Sequence, residues 1–219
     1  MAQTARIFEA KPDRRLNYWL YQPETYPERH SWPVILFLHG SGERGDDIQL
    51  VKNYGLTKYI DTRPDFPFVV VSPQCPAETR WIDHLPVLNM LLDNLLLTLN
   101  VDSSRVYLTG LSMGGQGVWY LGAENAERFA AVAPICGRTP PAAGYPAKVC
   151  TLRDTPVWVF HGDKDDLVPI QESERMVTAL KSCGGDVQFT IFPGVGHNSW
   201  DLAYNDPALY DWFLQHTKT

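Results

Sequence analysis

The sequence lacks any long hydrophobic run. None of its apolar stretches approaches the roughly 20 residues that a membrane-spanning helix needs. The leucines at 95–97 stand among polar residues, in a pattern typical of an amphipathic core helix. Residues 1–12 are polar and charged where a signal peptide would have its apolar segment. We therefore expect a cytoplasmic protein with no membrane partner, although a mature or excised domain of a secreted protein would show the same features.

The sequence also lacks clustered positive charge. It has 19 Lys and Arg against 25 Asp and Glu, a formal net charge of −6 at pH 7, and no run of basic residues that would form a phosphate-binding surface. This balance argues against a nucleic-acid partner. It favours a small-molecule substrate that is neutral or weakly charged, and we expect a monomer or a homodimer.

Cysteine is scarce and unclustered. The four cysteines are Cys75, Cys136, Cys150 and Cys183, with no C-x-x-C pair among them. Their spacing argues against a zinc site and against thioredoxin-like redox chemistry, so no metal is expected. We predict free thiols. The alternative is a Cys136–Cys150 bridge, because the Pro/Gly-rich segment between these two residues could bring them together.

No internal repeat or low-complexity tract interrupts the chain, and its length predicts one domain over residues 1–219. Short apolar runs predict eight strands, at residues 6–8, 16–21, 34–38, 68–71, 106–109, 131–135, 157–160 and 187–192. Helical patterns cover residues 85–99, 114–124, 171–182 and 207–216. The first two strands are mixed in polarity and suit an edge hairpin, whereas the later ones suit buried parallel strands. The pattern predicts an α/β fold with helices on both faces of a mostly parallel sheet.

A G-x-S-x-G motif is the most informative local pattern. It spans residues 110–114, directly after a predicted strand and directly before a predicted helix. A serine on such a tight strand-to-helix turn leaves no room for side chains two residues away on either side, which explains both glycines. The motif therefore predicts a nucleophile elbow that presents Ser112.

A serine nucleophile needs a base to accept its proton. Three histidines follow Ser112 along the chain: His161, His197 and His216. His197 lies in a glycine-containing loop after the last predicted strand, where the backbone can carry an imidazole to the elbow, so we predict that it is the general base. His161 is interpreted as a packed residue at a strand end, and His216 as a surface residue on an amphipathic helix.

The base in turn needs an acid to orient it. Asp163, Asp165 and Asp166 follow the strand at 157–160, in a turn where aspartates commonly bond to backbone N–H groups. We predict that Asp165 is the catalytic acid, with Asp166 as the next choice. Asp163 is best placed to brace the turn itself.

An oxyanion intermediate needs two donors. The N–H of Met113, directly after the nucleophile, is one candidate, and the N–H of Ser41, in the glycine-rich loop after the third strand, is the other. The same loop could be interpreted as a phosphate-binding loop. It lacks the lysine of a P-loop and the third glycine of a dinucleotide site, so we reject that interpretation.

Together these motifs resemble the phospholipase/carboxylesterase family of the α/β-hydrolases, close to the dienelactone-hydrolase-like and prolyl-oligopeptidase-like esterases. Four blocks carry the likeness in order along most of the chain, at residues 38–45, 110–115, 161–169 and 196–201. The family block H-G-x-x-D-x-x-V-P has its acid four residues after the histidine, which is Asp165 here. The resemblance implies an α/β-hydrolase fold and ester hydrolysis without a metal or an organic cofactor.

The resemblance also implies roles for other residues. The family's oxyanion amides correspond to Ser41 and Met113, and a family tryptophan corresponds to Trp81, which would line the substrate pocket. Trp200 is expected near the site as well. Met113 stands where many relatives carry Gln, and the nucleophile is Ser112 rather than the cysteine of true dienelactone hydrolases, which argues against dienelactone hydrolysis.

We therefore predict a serine carboxylesterase that acts on short-chain or small aryl esters through an acyl-enzyme. The segment between Cys136 and Asp154, where a lid or cap would be inserted in this fold, is short. We expect no cap domain, an open site and no interfacial lipase behaviour. The alternatives are a feruloyl- or acetyl-type polysaccharide esterase, a serine peptidase on the same fold, and a catalytically silent binding domain.

Overall fold

The structure, a computed structural model, describes residues 3–11, 14–26 and 31–218. Its strands are β1 (Gln3–Lys11), β2 (Arg14–Tyr21), β3 (Trp32–Leu38), β4 (Val69–Pro73), β5 (Val101–Leu111), β6 (Ala131–Ile135), β7 (Val157–Gly162) and β8 (Val187–Phe192). Its helices are α1 (Gly55–Ile60), α2 (Leu85–Thr98), α3 (Met113–Glu124), α4 (Gln171–Ser182), α5 (Trp200–Asn205) and α6 (Pro207–Gln215).

The eight strands of the described residues form one sheet in the order β1-β2-β4-β3-β5-β6-β7-β8. β1 and β2 pair antiparallel as an edge hairpin, and β2 pairs antiparallel with β4. All the remaining pairs are parallel. The predicted fold class and the predicted hairpin are both confirmed.

Helices cover both faces of the sheet, so the central strands are apolar on both sides. The alternation of side chains in β3 shows how this works. Val34 and Leu36 join the core cluster that α2, α3 and α4 supply, whereas Ile35 and Phe37 join the cluster that α1, α5 and α6 supply. β8 is an edge strand and is only partly buried.

All eight predicted strands are present, and so are the four predicted helices, with boundaries that differ by a few residues. α1 and α5 were not predicted. Each has six residues, less than two turns, and so short a segment cannot display a helical period. No helix in the described ranges is long and apolar enough to cross a membrane.

The topology brings four loops to one edge of the sheet. β3, β5, β7 and β8 are parallel members of the sheet, so the loops that follow them leave from the same edge. The connection from β6 to β7 contains only one short 3₁₀ helix, Ala147–Leu152, and no cap domain covers this edge among the described residues.

The prediction of four free thiols is wrong, and so is the alternative Cys136–Cys150 bridge. Cys150 forms a disulfide with Cys183, across a Cα–Cα distance of 5.9 Å, and Cys75 and Cys136 are free and buried. The cause is packing: the 3₁₀ helix that contains Cys150 lies against α4, and Cys183 directly follows α4. Cys136 instead follows β6 into the core.

We expect that replacement of both bridged cysteines in a Cys150→Ser/Cys183→Ser variant lowers the free energy of unfolding by about 3 to 4 kcal/mol, because the bridge restrains the unfolded chain. Urea denaturation measures this difference. A reducing agent should destabilise the wild type by a similar amount and leave the double variant unaffected. Four thiols that react in the denatured, unreduced wild type, instead of two, would contradict the bridge.

Candidate active site

Ser112 stands at a strained turn between β5 and α3. Its backbone has φ 53° and ψ −115°, a conformation that a residue with a side chain rarely adopts and that costs about 1 to 3 kcal/mol. Hydrogen bonds on both sides compensate: the Ser112 N–H donates to Ile135 O at 2.9 Å, and Gln116 N–H donates to Ser112 O at 3.0 Å. The turn therefore holds the serine side chain out at the carboxyl end of β5, as a nucleophile elbow requires.

The two glycines of the motif are needed for space. A Cβ at Gly114 would lie 1.9 Å from Leu38 O and 2.6 Å from His39 O, and a Cβ at Gly110 would lie 2.6 Å from Leu38 O. All these neighbours are backbone atoms, so the close approach of α3 and β5 to the end of β3 depends on the absence of side chains at both positions.

We expect a Gly114→Ala substitution to lower the free energy of unfolding by about 3 kcal/mol or to prevent folding, because rigid backbone must move. Gly122→Ala, in the same helix, is the matched control. Its new methyl group would meet only side-chain atoms at 3.6 Å or more, and the higher helix propensity of Ala should make it neutral or stabilising. Equal urea midpoints for the two variants would contradict this account of the motif.

The structure brings Ser112, His197 and Asp165 together in a relay. Ser112 Oγ lies 2.8 Å from His197 Nε2, and His197 Nδ1 lies 2.7 Å from Asp165 Oδ2. The Asp165 side chain is fully buried and that of His197 is 15% exposed. One edge of the imidazole thus faces the serine at the surface of the cavity, and the other faces a carboxylate in the interior.

The Asp165 carboxylate accepts several hydrogen bonds besides the one from His197. Its Oδ1 accepts from Leu167 N–H at 3.0 Å and from Val168 N–H at 2.8 Å. An ionised carboxylate is stable in the interior only where donors replace its hydration. The turn after β7 supplies these donors from its own backbone, which explains why an aspartate in this turn is buried and still able to orient His197.

His161 adds a further contact to the same carboxylate. Its side chain is fully buried at the end of β7, and its Nε2 lies 2.8 Å from Val168 O and 3.2 Å from Asp165 Oδ2. Its Nδ1 lies 2.7 Å from Ser173 Oγ. Burial lowers the pKa of His161 below its ordinary value, which favours the neutral ring. When the ring proton is on Nε2, this N–H donates to Val168 O and Asp165 Oδ2, and Ser173 O–H donates to Nδ1.

His161 is a packed strand-end residue, as predicted, but its contact with Asp165 was missed. The signal in the sequence was its position four residues before Asp165. His216, predicted as a surface residue, is half-buried at the end of α6, where its ring packs against Trp212.

The loop after β7 and the loop that carries His197 are bonded to each other. Asp163 Oδ1 accepts from Gly194 N–H at 2.6 Å, and Lys164 N–H donates to Val195 O at 2.9 Å. Asp163 therefore braces these turns, as predicted, whereas Asp166 is exposed. These bonds fix the position of His197 relative to Asp165.

The two predicted oxyanion donors, the N–H groups of Met113 and Ser41, both belong to residues at the start of a helix. Met113 is the first residue of α3, and Ser41 is the first residue of the 3₁₀ helix Ser41–Glu43. The first N–H groups of a helix have no acceptor within that helix. Both residues line the same cavity as Ser112 and His197. Arg44 Nε donates to Ser41 O at 3.0 Å and so stabilises the loop that presents Ser41.

The two predicted pocket tryptophans take other places. Trp81 is 1% exposed in the core, where its Nε1 donates to His39 O at 2.9 Å, so it supports the loop of Ser41 from behind instead of lining the pocket. Its ring also packs edge-on against the His39 ring at a centroid distance of 5.0 Å. Trp200 is half-buried at the start of α5, and its ring packs edge-on against the His197 ring at a centroid distance of 5.2 Å. It supports the base from the side.

The Cys136 thiol lies beside this relay, which sequence reasoning did not foresee. The Cys136 Sγ atom, one carboxylate oxygen of Asp165 and one ring nitrogen of His197 all lie within 4.8 Å of one another. Burial raises the pKa of the Cys136 thiol to about 12, so it is protonated at neutral pH. Both ring nitrogens of His197 are already committed to Ser112 and Asp165. The arrangement fits proton transfer better than metal binding.

An open cavity of about 340 Å³ lies over the relay. Its walls combine the polar groups of Ser41, Ser112 and His197 with the apolar side chains of Met113 and Leu167. The cavity therefore places the hydroxyl of Ser112 and the imidazole of His197 beside an apolar surface that a small molecule could contact.

The chain is similar to several known hydrolases. A carboxymethylenebutenolidase candidate of Yersinia pestis is 29% identical over 129 residues, which are 52% of this chain and 48% of that protein. A bifunctional acetylxylan esterase/xylanase of Neocallimastix patriciarum is 28% identical over 153 residues, 65% of this chain and 20% of that protein. The crystal structure of a thermostable esterase matches with a TM-score of 0.89 and 31% identity, over 99% of this chain and 63% of that one.

This chain spans about half the length of the first of these relatives and a fifth of the second. A family model also matches this chain. The match covers residues 66–206, more than half of the chain, and includes the elbow, the turn of Asp165 and the loop of His197. The model is that of the phospholipase/carboxylesterase group. The chain, with its α/β-hydrolase fold, belongs to the phospholipase/carboxylesterase family.

Proposed function

We propose that this chain is a serine carboxylesterase that hydrolyses short-chain or small aryl carboxylic esters through an acyl-enzyme. The observation that carries the proposal is the continuous relay from Ser112 through His197 to Asp165, at 2.8 Å and 2.7 Å. Geometry of this kind activates a serine hydroxyl, which is otherwise a weak nucleophile at neutral pH.

In the acylation step, His197 Nε2 takes the proton of Ser112 as Oγ attacks the ester carbonyl. The Ser41 and Met113 N–H groups stabilise the developing oxyanion, and Asp165 stabilises the imidazolium. His197 then gives the proton to the leaving alkoxide, so the C–O bond breaks and the alcohol departs. In deacylation, water attacks the acyl carbonyl while His197 accepts its proton, and the bond from the acyl carbon to Oγ then breaks as His197 returns the proton to Oγ, which releases the carboxylic acid and restores Ser112.

The cavity supports a preference for small acyl groups. A volume of about 340 Å³ admits a small ester. No cap closes over the site in the described part of the chain, so no cap supplies an apolar surface for a long acyl chain. The acetylxylan esterase among the relatives supports an acetyl ester of a carbohydrate as the second candidate, because an open cavity also admits the end of a polymer.

The central test is a p-nitrophenyl ester series of increasing acyl length, with the wild type and a Ser112→Ala variant. We expect the highest kcat/KM at two to four carbons, and a loss of at least about 10³-fold in the variant because the nucleophile is gone. Ser182→Ala, an exposed serine at the end of α4, is the matched control and should keep full activity.

The other hypotheses give other results in the same assay. Turnover that survives in Ser112→Ala would remove the serine mechanism. Cleavage of anilide substrates faster than of the matching esters would favour a peptidase. No turnover of any ester or anilide would favour a silent binding domain.

A second prediction concerns His161, which touches Asp165 but not the cavity. We expect His161→Phe to lower kcat by about tenfold with little change in KM, because the buried carboxylate loses a donor and no longer holds His197 as firmly. Ser173→Ala, which removes only the partner of His161 Nδ1, should have a smaller effect in the same direction. A change in KM alone would contradict a positioning role for His161.

We further propose an oxidising compartment for this protein. The Cys150–Cys183 disulfide supports it, because such bonds persist mainly in secreted or periplasmic proteins. This favours the secreted alternative over the cytoplasmic expectation. The thiol count of the protein isolated from its native source, without reductant, tests it.

A further inference from the structure

Three arginines line the cavity over Ser112: Arg44, Arg80 and Arg138. They come from three separate loops, after β3, after β4 and after β6. The cavity of about 340 Å³ is thus lined by three arginines as well as by Ser112. Such a concentration of positive charge is unexpected in a chain whose formal net charge is −6.

Carboxylates of the protein do not neutralise these arginines. Within the described ranges, no Asp or Glu oxygen lies within 4.0 Å of a side-chain nitrogen of Arg44, Arg80 or Arg138, whereas six other arginine or lysine side chains do have such a partner, those of Lys52, Arg105, Arg128, Lys148, Arg153 and Arg175. Arg44 and Arg138 bond instead to backbone carbonyls: Arg44 to Ser41 O and Thr79 O, and Arg138 to Leu167 O at 2.6 Å. These bonds orient the guanidinium groups and leave their charge uncompensated.

The positive region continues beyond the first cavity. A second cavity of about 640 Å³ shares Arg80, Gln116 and Arg138 with the first, so the two are contiguous. Its far wall contains Tyr145 and several prolines from the segment between β6 and β7. The cleft therefore runs from Ser112, past two arginines, to an apolar wall.

None of the nearby acidic residues lines the first cavity. Asp165 is buried behind His197, and Glu43 is 4% exposed beneath the loop of Ser41 and does not line the cavity. In the second cavity, Glu172 pairs with Arg175 at 3.2 Å and accepts from Thr139 N–H at 3.0 Å. Asp83 accepts from the backbone N–H of Arg80. The charged groups that line the first cavity next to Ser112 and His197 are therefore three arginines and no carboxylate.

We propose that the natural substrate is an ester that carries a carboxylate group, which Arg80 and Arg138 bind while the ester carbonyl lies at Ser112. This inference rests on the serine carboxylesterase function proposed above and specifies its substrate class. A guanidinium group matches a carboxylate through two parallel N–H···O bonds, and such charged pairs in a cleft also attract anions from solution. It replaces the expectation of a neutral or weakly charged substrate, which considered only the net charge.

Matched ester pairs test the proposal on both sides of the scissile bond. On the acyl side, mono-4-nitrophenyl adipate is compared with 4-nitrophenyl hexanoate, which has the same chain without the carboxylate. On the alcohol side, 4-acetoxybenzoate is compared with its methyl ester. For each pair the measured quantity is the ratio of kcat/KM, charged over neutral, after subtraction of the Ser112→Ala background. The ratio is determined for the wild type, Arg80→Gln, Arg138→Gln and Arg153→Gln.

We expect the ratio in at least one pair to fall about tenfold in Arg80→Gln and in Arg138→Gln, and to fall in the wild type when about 0.5 M NaCl is added. Arg153→Gln is the control with the same change of net charge, since Arg153 is exposed outside the cleft beside Asp154, and its ratio should equal that of the wild type. The pair that responds shows whether the carboxylate belongs to the acyl or to the alcohol group.

Ratios that stay within about threefold of the wild type in both arginine variants, for both pairs, would overturn the proposal. So would an equal fall in Arg153→Gln, because the effect would then come from net charge. In either case Ser112-dependent hydrolysis of the neutral esters would leave the carboxylesterase function standing. If the wild type hydrolyses neither member of either pair in a Ser112-dependent way, the carboxylesterase function fails and this inference fails with it.

Discussion

The buried carboxylate of Asp165 is the interaction on which the site depends. It contacts both the turn after β7, through Leu167 and Val168, and the loop after β8, through His197. A fully buried charge without donors would cost several kcal/mol, so these contacts are a condition for folding as well as for catalysis. The position of the base is therefore tied to the stability of two loops.

The nucleophile depends on a different constraint, the close approach of three backbone segments. α3 can begin directly after β5, and next to the end of β3, only because Gly110 and Gly114 have no side chains. The same approach brings the start of α3 next to the loop of Ser41, and both line the cavity with Ser112. The strained serine and the two candidate oxyanion donors thus belong to one packing arrangement, and a change in any of these segments would disturb the others.

Much of the fold could be predicted from the sequence, because buried parallel strands are continuous apolar runs and long helices show their period. The short helices α1 and α5 could not, since six residues carry no period. The Cys150–Cys183 bridge joins residues 33 positions apart, and connectivity of that kind depends on packing between elements that the sequence does not display.

The candidate site also has a part that the sequence predicts and a part that it does not. Residues that motifs and chain order identify, Ser112, Asp165 and His197, lie together in the structure. Trp81, a residue assigned to the pocket without such a motif, does not line it. It packs behind the loop of Ser41, because a tryptophan suits a core as well as a pocket wall. The contact of His161 with Asp165 depends on the exact path of a turn, and the sequence shows only their spacing.

Net charge and local charge lead to opposite conclusions about the substrate. The surplus of acidic residues is distributed over the surface, where solvent and salt screen it within about 10 Å. Arg44, Arg80 and Arg138 line the cavity at Ser112, so a bound molecule meets them directly although Arg80 and Arg138 are exposed to solvent. The charge that a substrate meets beside Ser112 is therefore that of these three side chains more than the total charge. An anionic ester gains binding energy there that a neutral ester of the same shape does not.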